Sequence, residues 1–207
     1  MRPGRIRNSI VAMALALVAL PLLPGASPAF GSIPKSTIDR IDGFVENELQ
    51  DNGVPGASLA IVDRDRTVHV RAFGETGRGD QPVEARTPFI TCSVSKSFTA
   101  LAVMQLAEGG NVDLDAPVGR YFEGFELAPA SRSDQVTVRT LLNQTSGLAT
   151  TAGGAEMRYL DQKSIRDTAM KLNGEELEGP PGAEFRYANA NYVLLGAVIE
   201  EVSGESY

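Results

Sequence analysis

Ser93 and Lys96, in the run Ser93-Val94-Ser95-Lys96, are the residues of this 207-residue chain whose types and spacing best suit covalent chemistry. In a helix, positions i and i+3 share a face one turn apart, so this hydroxyl and this amine can meet. Lys96 is the single charged residue between Arg86 and Glu108, in a segment rich in apolar and small side chains. An ammonium in such surroundings either snorkels to water or gives up its proton. A helix N-terminus favours an alkoxide-like oxygen at Ser93 and disfavours protonated Lys96. Nucleophilic serine chemistry without histidine needs this kind of arrangement, with both groups sheltered from water. The string alone is weak: 14 Ser and 4 Lys give roughly 0.3 matches by chance. A second copy, Ser32-Ile33-Pro34-Lys35, contains a proline and precedes a surface helix, so it is set aside as accidental. The bland alternative for Ser93 and Lys96 is a capping serine and a snorkelling lysine.

Tyr187-Ala188-Asn189, between a Pro/Gly turn and an apolar helix, is the second constellation. A phenol beside Lys96 can have its pKa lowered and pass protons to and from Ser93, while the Asn189 amide can orient Lys96 and hold a substrate carbonyl. Otherwise Tyr187 is a core aromatic and Asn189 the cap of the helix that follows. His69, the only histidine, alternates with Val68 and Val70 on a strand and is expected to face solvent, which argues against a Ser-His-Asp triad. Cys92, the only cysteine, has no nearby histidine and an apolar setting, and is expected to be a packed small residue.

These groups need elements to position them. Ser36 to Leu49 carries Ile38, Ile41, Val45 and Leu49 on one helical face, the pattern of a surface amphipathic helix. Ala57 to Val62 and Thr67 to Phe73 read as a β-hairpin, which implies a larger sheet because two strands alone are marginal. Ser93 to Glu108 is apolar almost all round, which predicts a central, buried helix ended by Gly109-Gly110. Val112 to Val118 reads as a loop, Val136 to Asn143 as a short helix capped by Thr137, and Thr145 to Gly154 as a small-residue loop. Gly179 to Gly182 is a turn leading to Tyr187, and Tyr192 to Val202 is a helix stopped by Gly204.

Composition narrows the function. At 43% apolar and 22% charged, the chain is ordinary globular protein. A net charge of −7 gives no basic footprint for nucleic acid. One Cys and one His exclude a disulfide framework, a zinc cluster and most metal chemistry, and no metal is expected. Arg2, Arg5 and Arg7 precede an apolar run from Ile10 to Leu20, then Pro21, Pro24 and small residues to Ala29. This is a signal-peptide pattern, with cleavage expected after Ala29 and export to the cell envelope or medium. The run is about half the ~20 residues a membrane span needs, so membrane contact is expected only through the uncleaved segment.

Four stretches, in order, then resemble a known family: Phe89-Ile90-Thr91-Cys92-Ser93-Val94-Ser95-Lys96-Ser97-Phe98-Thr99-Ala100-Leu101; Asp113-Leu114-Asp115-Ala116-Pro117-Val118; Val136 through Gln144-Thr145-Ser146-Gly147-Leu148; and Tyr187-Ala188-Asn189-Ala190-Asn191-Tyr192 through Gly196. They are similar to the serine β-lactamase and penicillin-binding-protein superfamily, nearest to the branch of class C β-lactamases, D-alanyl-D-alanine carboxypeptidases and related esterases. Tyr-x-Asn stands here where other members carry Ser-Asp-Asn. The resemblance implies an α/β fold of the α+β type, with an antiparallel sheet flanked by helices plus a helical region. It also implies acyl transfer through an acyl-Ser93 intermediate, Lys96 and Tyr187 sharing the acid/base work and Asn189 positioning the substrate. The substrate would be a small molecule or peptide, peptidoglycan included, and the resemblance implies no cofactor. The family's third motif, Lys or His, any residue, then Gly, is absent from the chain. On this reading residues 30–207 are the N-terminal part of a single domain, its C-terminal strands and part of its oxyanion hole missing and its rate crippled, losing one oxyanion donor alone costing about 100 to 1,000-fold. The alternative is a non-catalytic remnant or envelope-binding module.

Overall fold

The computed structural model describes residues 33–77, 79, 81–154 and 164–207, arranged as two compact units that divide after Pro88. The signal pattern at 1–29 and Ser32 lie outside the described residues. Among those described, no helix is long and apolar enough to cross a membrane.

In the first unit, helix α1 (Lys35–Asp51) is followed by the antiparallel strands β1 (Gly56–Asp63) and β2 (Arg66–Gly74). Ile38, Ile41, Val45 and Leu49 are half-buried along α1, as their spacing predicts. The strands are paired from Gly56 with Gly74 to Asp63 with Arg66, with an irregularity at Ile61/Val62, and reverse through Arg64, whose φ of 54° is left-handed. These are the two strands of the only sheet among the described residues, smaller than the hairpin's marginal stability predicts. Because side chains alternate, Leu59, Ile61, His69, Arg71 and Phe73 share one face.

The expectation for His69 is overturned on that face. Its Nε2 lies 2.8 Å from Asp42 Oδ1 on α1, and Arg71 Nη1 donates to Asp42 Oδ2 at 2.8 Å. Arg71 also donates to Glu46 and stacks 4.9 Å over the Phe73 ring. Val68 and Val70 point to solvent instead. The covered face thus carries His69 and Arg71 along with Leu59, Ile61 and Phe73, and α1 places a buried carboxylate, Asp42, opposite the imidazole and guanidinium that satisfy it. Hydrogen bonding to Arg71 above all, then to His69, holds the Asp42 carboxyl below its usual value against the opposing effect of burial.

The second unit is helical. A one-turn 3₁₀ segment (Cys92–Val94) leads into α2 (Ser95–Glu108); another 3₁₀ turn (Val118–Tyr121), the short helices α3 (Ala130–Ser133), α4 (Val138–Leu142) and α5 (Ile165–Met170), and α6 (Asn189–Ser203) follow. Thr137 caps α4 as its sequence predicts, accepting from the Thr140 N–H while Thr140 Oγ1 accepts from the Thr137 N–H. Gly204, at φ 72°, closes α6. Sequence patterning misses α3 and α5, each too short for a helical period to repeat. The core is built around α6, whose Val193, Leu194, Leu195, Ala197 and Val198 are buried with Val103, Phe122, Leu127, Val138, Leu141, Leu148 and Leu172.

The central helix is therefore α6, and the expectation of a buried α2 does not hold. Only Thr99 and Val103 of α2 are buried, while Phe98, Leu101 and Met104 are exposed, Phe98 by 68%, as is Val94 just ahead of the helix. An all-round apolar helix requires partners on every side, and α6 covers one side of α2.

Candidate active site

Ser93 sits in the 3₁₀ turn ahead of α2, entered through Cys92 at φ 46°, a left-handed conformation uncommon outside glycine. That turn preserves the one-turn offset expected of a helix: Lys96 Nζ donates to Ser93 Oγ at 3.3 Å. Lys96 does not snorkel. It is half-buried, its amine donates to Asn189 Oδ1 at 2.8 Å, and it lies 5.0 Å from the ring centre of Tyr187 and 5.7 Å from that of Tyr192. Tyr187 OH shares a 2.8 Å hydrogen bond with Ser93 Oγ. Ser93, Lys96, Tyr187 and Asn189, the four sequence candidates, thus converge on one spot within the second unit.

Two expectations about this spot are corrected. Cys92 is exposed rather than packed. Ser93 is likewise exposed, so the hydroxyl is open to an incoming acyl group rather than sheltered. The bare face of α2 beside it accounts for this.

Tyr187 is not a core aromatic, being 39% exposed. Hydrogen bonding to Lys96 first and to Ser93 second lowers its phenol pKa, partial burial opposing them. Neighbouring Tyr192 moves upward, mainly through burial. Asn189 is not the cap either: Ala188 holds that position, and Asn189, in the first turn of α6, turns its amide oxygen to Lys96. A hydroxyl bonded to both an amine and a phenol has two routes for its proton, which is the requirement for a serine nucleophile lacking histidine. His69 belongs to the Asp42 pair of the first unit. Among the described residues no group of three His, Cys, Asp or Glu side chains can hold a metal.

Sequence reading assigned no role to Tyr192, Gln144, Ser146 or Asn191. Tyr192 is i+3 from Asn189, a spacing that could have placed it by Lys96. Gln144, Ser146 and Asn191 lie inside the quoted motif stretches and form a buried polar network beneath Tyr187-Ala188-Asn189.

An α+β chain with this Ser, Lys and Tyr arrangement has the architecture of the β-lactamase/transpeptidase class. The family model described as Beta-lactamase matches residues 41–207, and the chain belongs to that family. Among curated proteins it is 32% identical over 170 residues to Protein flp of Staphylococcus aureus strain COL, covering 81% of this chain and 34% of that protein. Among solved structures, the octameric penicillin-binding protein homologue from Pyrococcus abyssi superposes with a TM-score of 0.69 at 31% identity, over 82% of this chain and 40% of that one. EstCE1, a hydrolase with promiscuous acyltransferase activity, gives 0.70 at 30% identity, over 83% and 48%. The chain thus spans about a third of the length of the flp relative and under half of either structure.

Proposed function

We propose that this chain carries the acylation machinery of a serine hydrolase acting on a β-lactam, a D-alanyl-D-alanine peptide or a small ester, of the class C and carboxypeptidase-like branch. The carrying observation is the double contact of Ser93 Oγ, with Lys96 Nζ at 3.3 Å and Tyr187 OH at 2.8 Å. Ser93 Oγ attacks the acyl carbon as its proton passes to the Lys96 and Tyr187 pair. The same pair protonates the departing amine or alcohol, leaving an ester on Ser93. Water, deprotonated by that pair, then releases the acid and restores the hydroxyl. Asn189 orients Lys96 and the substrate carbonyl. Residues 1–29 act as an export signal, so the substrate is met in the envelope or outside the cell, and residues 30–207 form the front part of one such domain.

The test is incubation of the chain with a fluorescent penicillin and with a fluorophosphonate. A covalent label on the parent that is lost in Ser93→Ala is expected. No label under conditions that mark related hydrolases, or a label surviving Ser93→Ala, overturns the reading. A non-catalytic envelope-binding module is the second reading. Retention on peptidoglycan with no covalent label would support it.

A further inference from the structure

The polar network under the Tyr187 segment is the strongest feature of the second unit that the acylation chemistry leaves unused. Gln144 is 6% exposed and sits at φ 60°, beyond the end of α4. Its main-chain oxygen accepts from the Arg186 N–H at 2.7 Å. Its side-chain Oε1 accepts from the Ala188 N–H at 2.9 Å and from Asn191 Nδ2 at 2.6 Å. In extended backbone the N–H groups of residues i and i+2 point the same way, so Arg186 and Ala188 are held by one residue on either side of Tyr187.

The network's donors and acceptors are fixed by a single backbone group. The Ala188 N–H can only donate, so the Gln144 atom facing it is oxygen. Asn191 must then offer Nδ2 to that oxygen, which leaves Asn191 Oδ1 for the Ser146 hydroxyl at 2.6 Å; Ser146 Oγ in turn accepts from the Leu148 N–H at 3.2 Å. Each of these links, from the Ala188 N–H to the Leu148 N–H, is buried, so an alternative arrangement would orphan a polar group.

We propose that Gln144 is a positioning residue for acylation: its two carbonyl oxygens clamp the backbone around Tyr187, so that the phenol reaches Ser93 and the Asn189 amide reaches Lys96. This rests on the reading of Ser93, Lys96 and Tyr187 given above. Gln144 touches none of the reacting groups. Its effect is to hold the segment that follows the 179–182 turn, so that Tyr187 meets Ser93 across 94 residues of chain.

The test compares Gln144→Met, similar in shape but lacking the acceptor, with Gln144→Glu, which keeps an oxygen at that place. Two readouts are taken on variants with the parent's circular dichroism spectrum. One is the rate constant for fluorophosphonate labelling of Ser93. The other is the ultraviolet titration of Tyr187, isolated as the difference from each variant's own Tyr187→Phe form. Gln144→Met should slow labelling about 10- to 100-fold, the cost of a reacting group misplaced by about 1 Å, and move the Tyr187 titration up toward an ordinary phenol. Gln144→Glu should stay within about 3-fold of the parent, since the acceptor that matters is retained. If Gln144→Met does not fold, Ser146→Ala, which frees the Asn191 amide to turn, should show the same two changes to a smaller degree. Labelling and titration unchanged in Gln144→Met, or in Ser146→Ala where that variant stands in, overturn the proposal, as does Gln144→Glu falling as far as Gln144→Met. An unlabelled parent would sink the reading of Ser93 instead, and the titration would still decide whether Gln144 places the phenol.

Discussion

Gly147→Ala is expected to damage both the stability of the second unit and the reactivity of Ser93, by an amount that can be separated from ordinary glycine replacement. Gly147 has φ 87°, and a Cβ there would lie 2.3 Å from the Gly179 carbonyl oxygen and 3.3 Å from its carbon. Both obstacles are backbone, so the two segments must part by roughly 1 Å to reach an ordinary contact. The left-handed conformation alone costs a residue with a Cβ about 1–2 kcal/mol. Separation also breaks or stretches the Glu178 N–H bond to Gly147 O at 2.9 Å and the Gly182 N–H bond to Thr145 O at 2.7 Å, each contributing about 1 kcal/mol. The total of about 3–4 kcal/mol corresponds to a melting temperature lower by about 10 °C for a chain of this size. Gly182→Ala is the control: φ is 83° there, but nothing lies within 4 Å of the added Cβ, so only the conformational cost of about 1–2 kcal/mol applies. Thermal melts followed by circular dichroism, with labelling of Ser93 at a temperature where each variant is folded, test the difference. Gly147→Ala melting no lower than Gly182→Ala would refute the inference that loop 145–148 seats the 177–182 segment.

Labelling of Ser93 is expected to accelerate as pH rises through the ionisation of Tyr187, with a midpoint below the ordinary phenol value near 10 because Lys96 favours the phenolate; Lys96→Met should move that midpoint upward, and Tyr187→Phe should abolish it, both read from pH–rate profiles. Asp42 and Asp115 have carboxyls lowered chiefly by Arg71 and Arg139, the latter pair bidentate at 2.7 and 2.9 Å. Their contribution is complete above the unfolded carboxyl value near 4 and is lost as pH falls through the lower folded values, so acid melts should lose stability below about pH 4 and Asp42→Asn should flatten that decline for the first unit. An unchanged acid limb in Asp42→Asn would contradict the His69, Asp42 and Arg71 geometry. Phe98→Ser, on the bare face of α2, should shift the melting temperature by no more than about 2 °C, as exposed substitutions do, while reducing binding of a hydrophobic dye; a large loss of stability would mean that the face is covered.

How much of this was legible in the sequence depended on the range of the force involved. The α1 stripe, the Thr137 cap, the hairpin and the Gly204 stop follow from interactions within one or two turns of chain, and each is found where its residues predict. His69 and Cys92 differ from the sequence expectation for opposite reasons. Strand alternation says which residues share a face but not which face is covered, and a buried Asp42 on α1 inverted the usual assignment. For Cys92, apolar neighbours in sequence imply packing only if they are themselves buried, and Val94, Phe98 and Leu101 are exposed.

The sequence by itself determined that Ser93 and Lys96 could meet, since a separation of three residues in helical backbone brings them to one face whatever surrounds them. Only the tertiary structure decided that Tyr187 completes the contact from 94 residues away and that Asn189 faces Lys96 instead of capping α6. It also decided that Gln144 holds the segment bearing them and that α6 rather than α2 is the centre of the core. These outcomes depend on which apolar surfaces are buried together and which backbone N–H groups then need an acceptor, and neither quantity is a property of any short stretch of the chain.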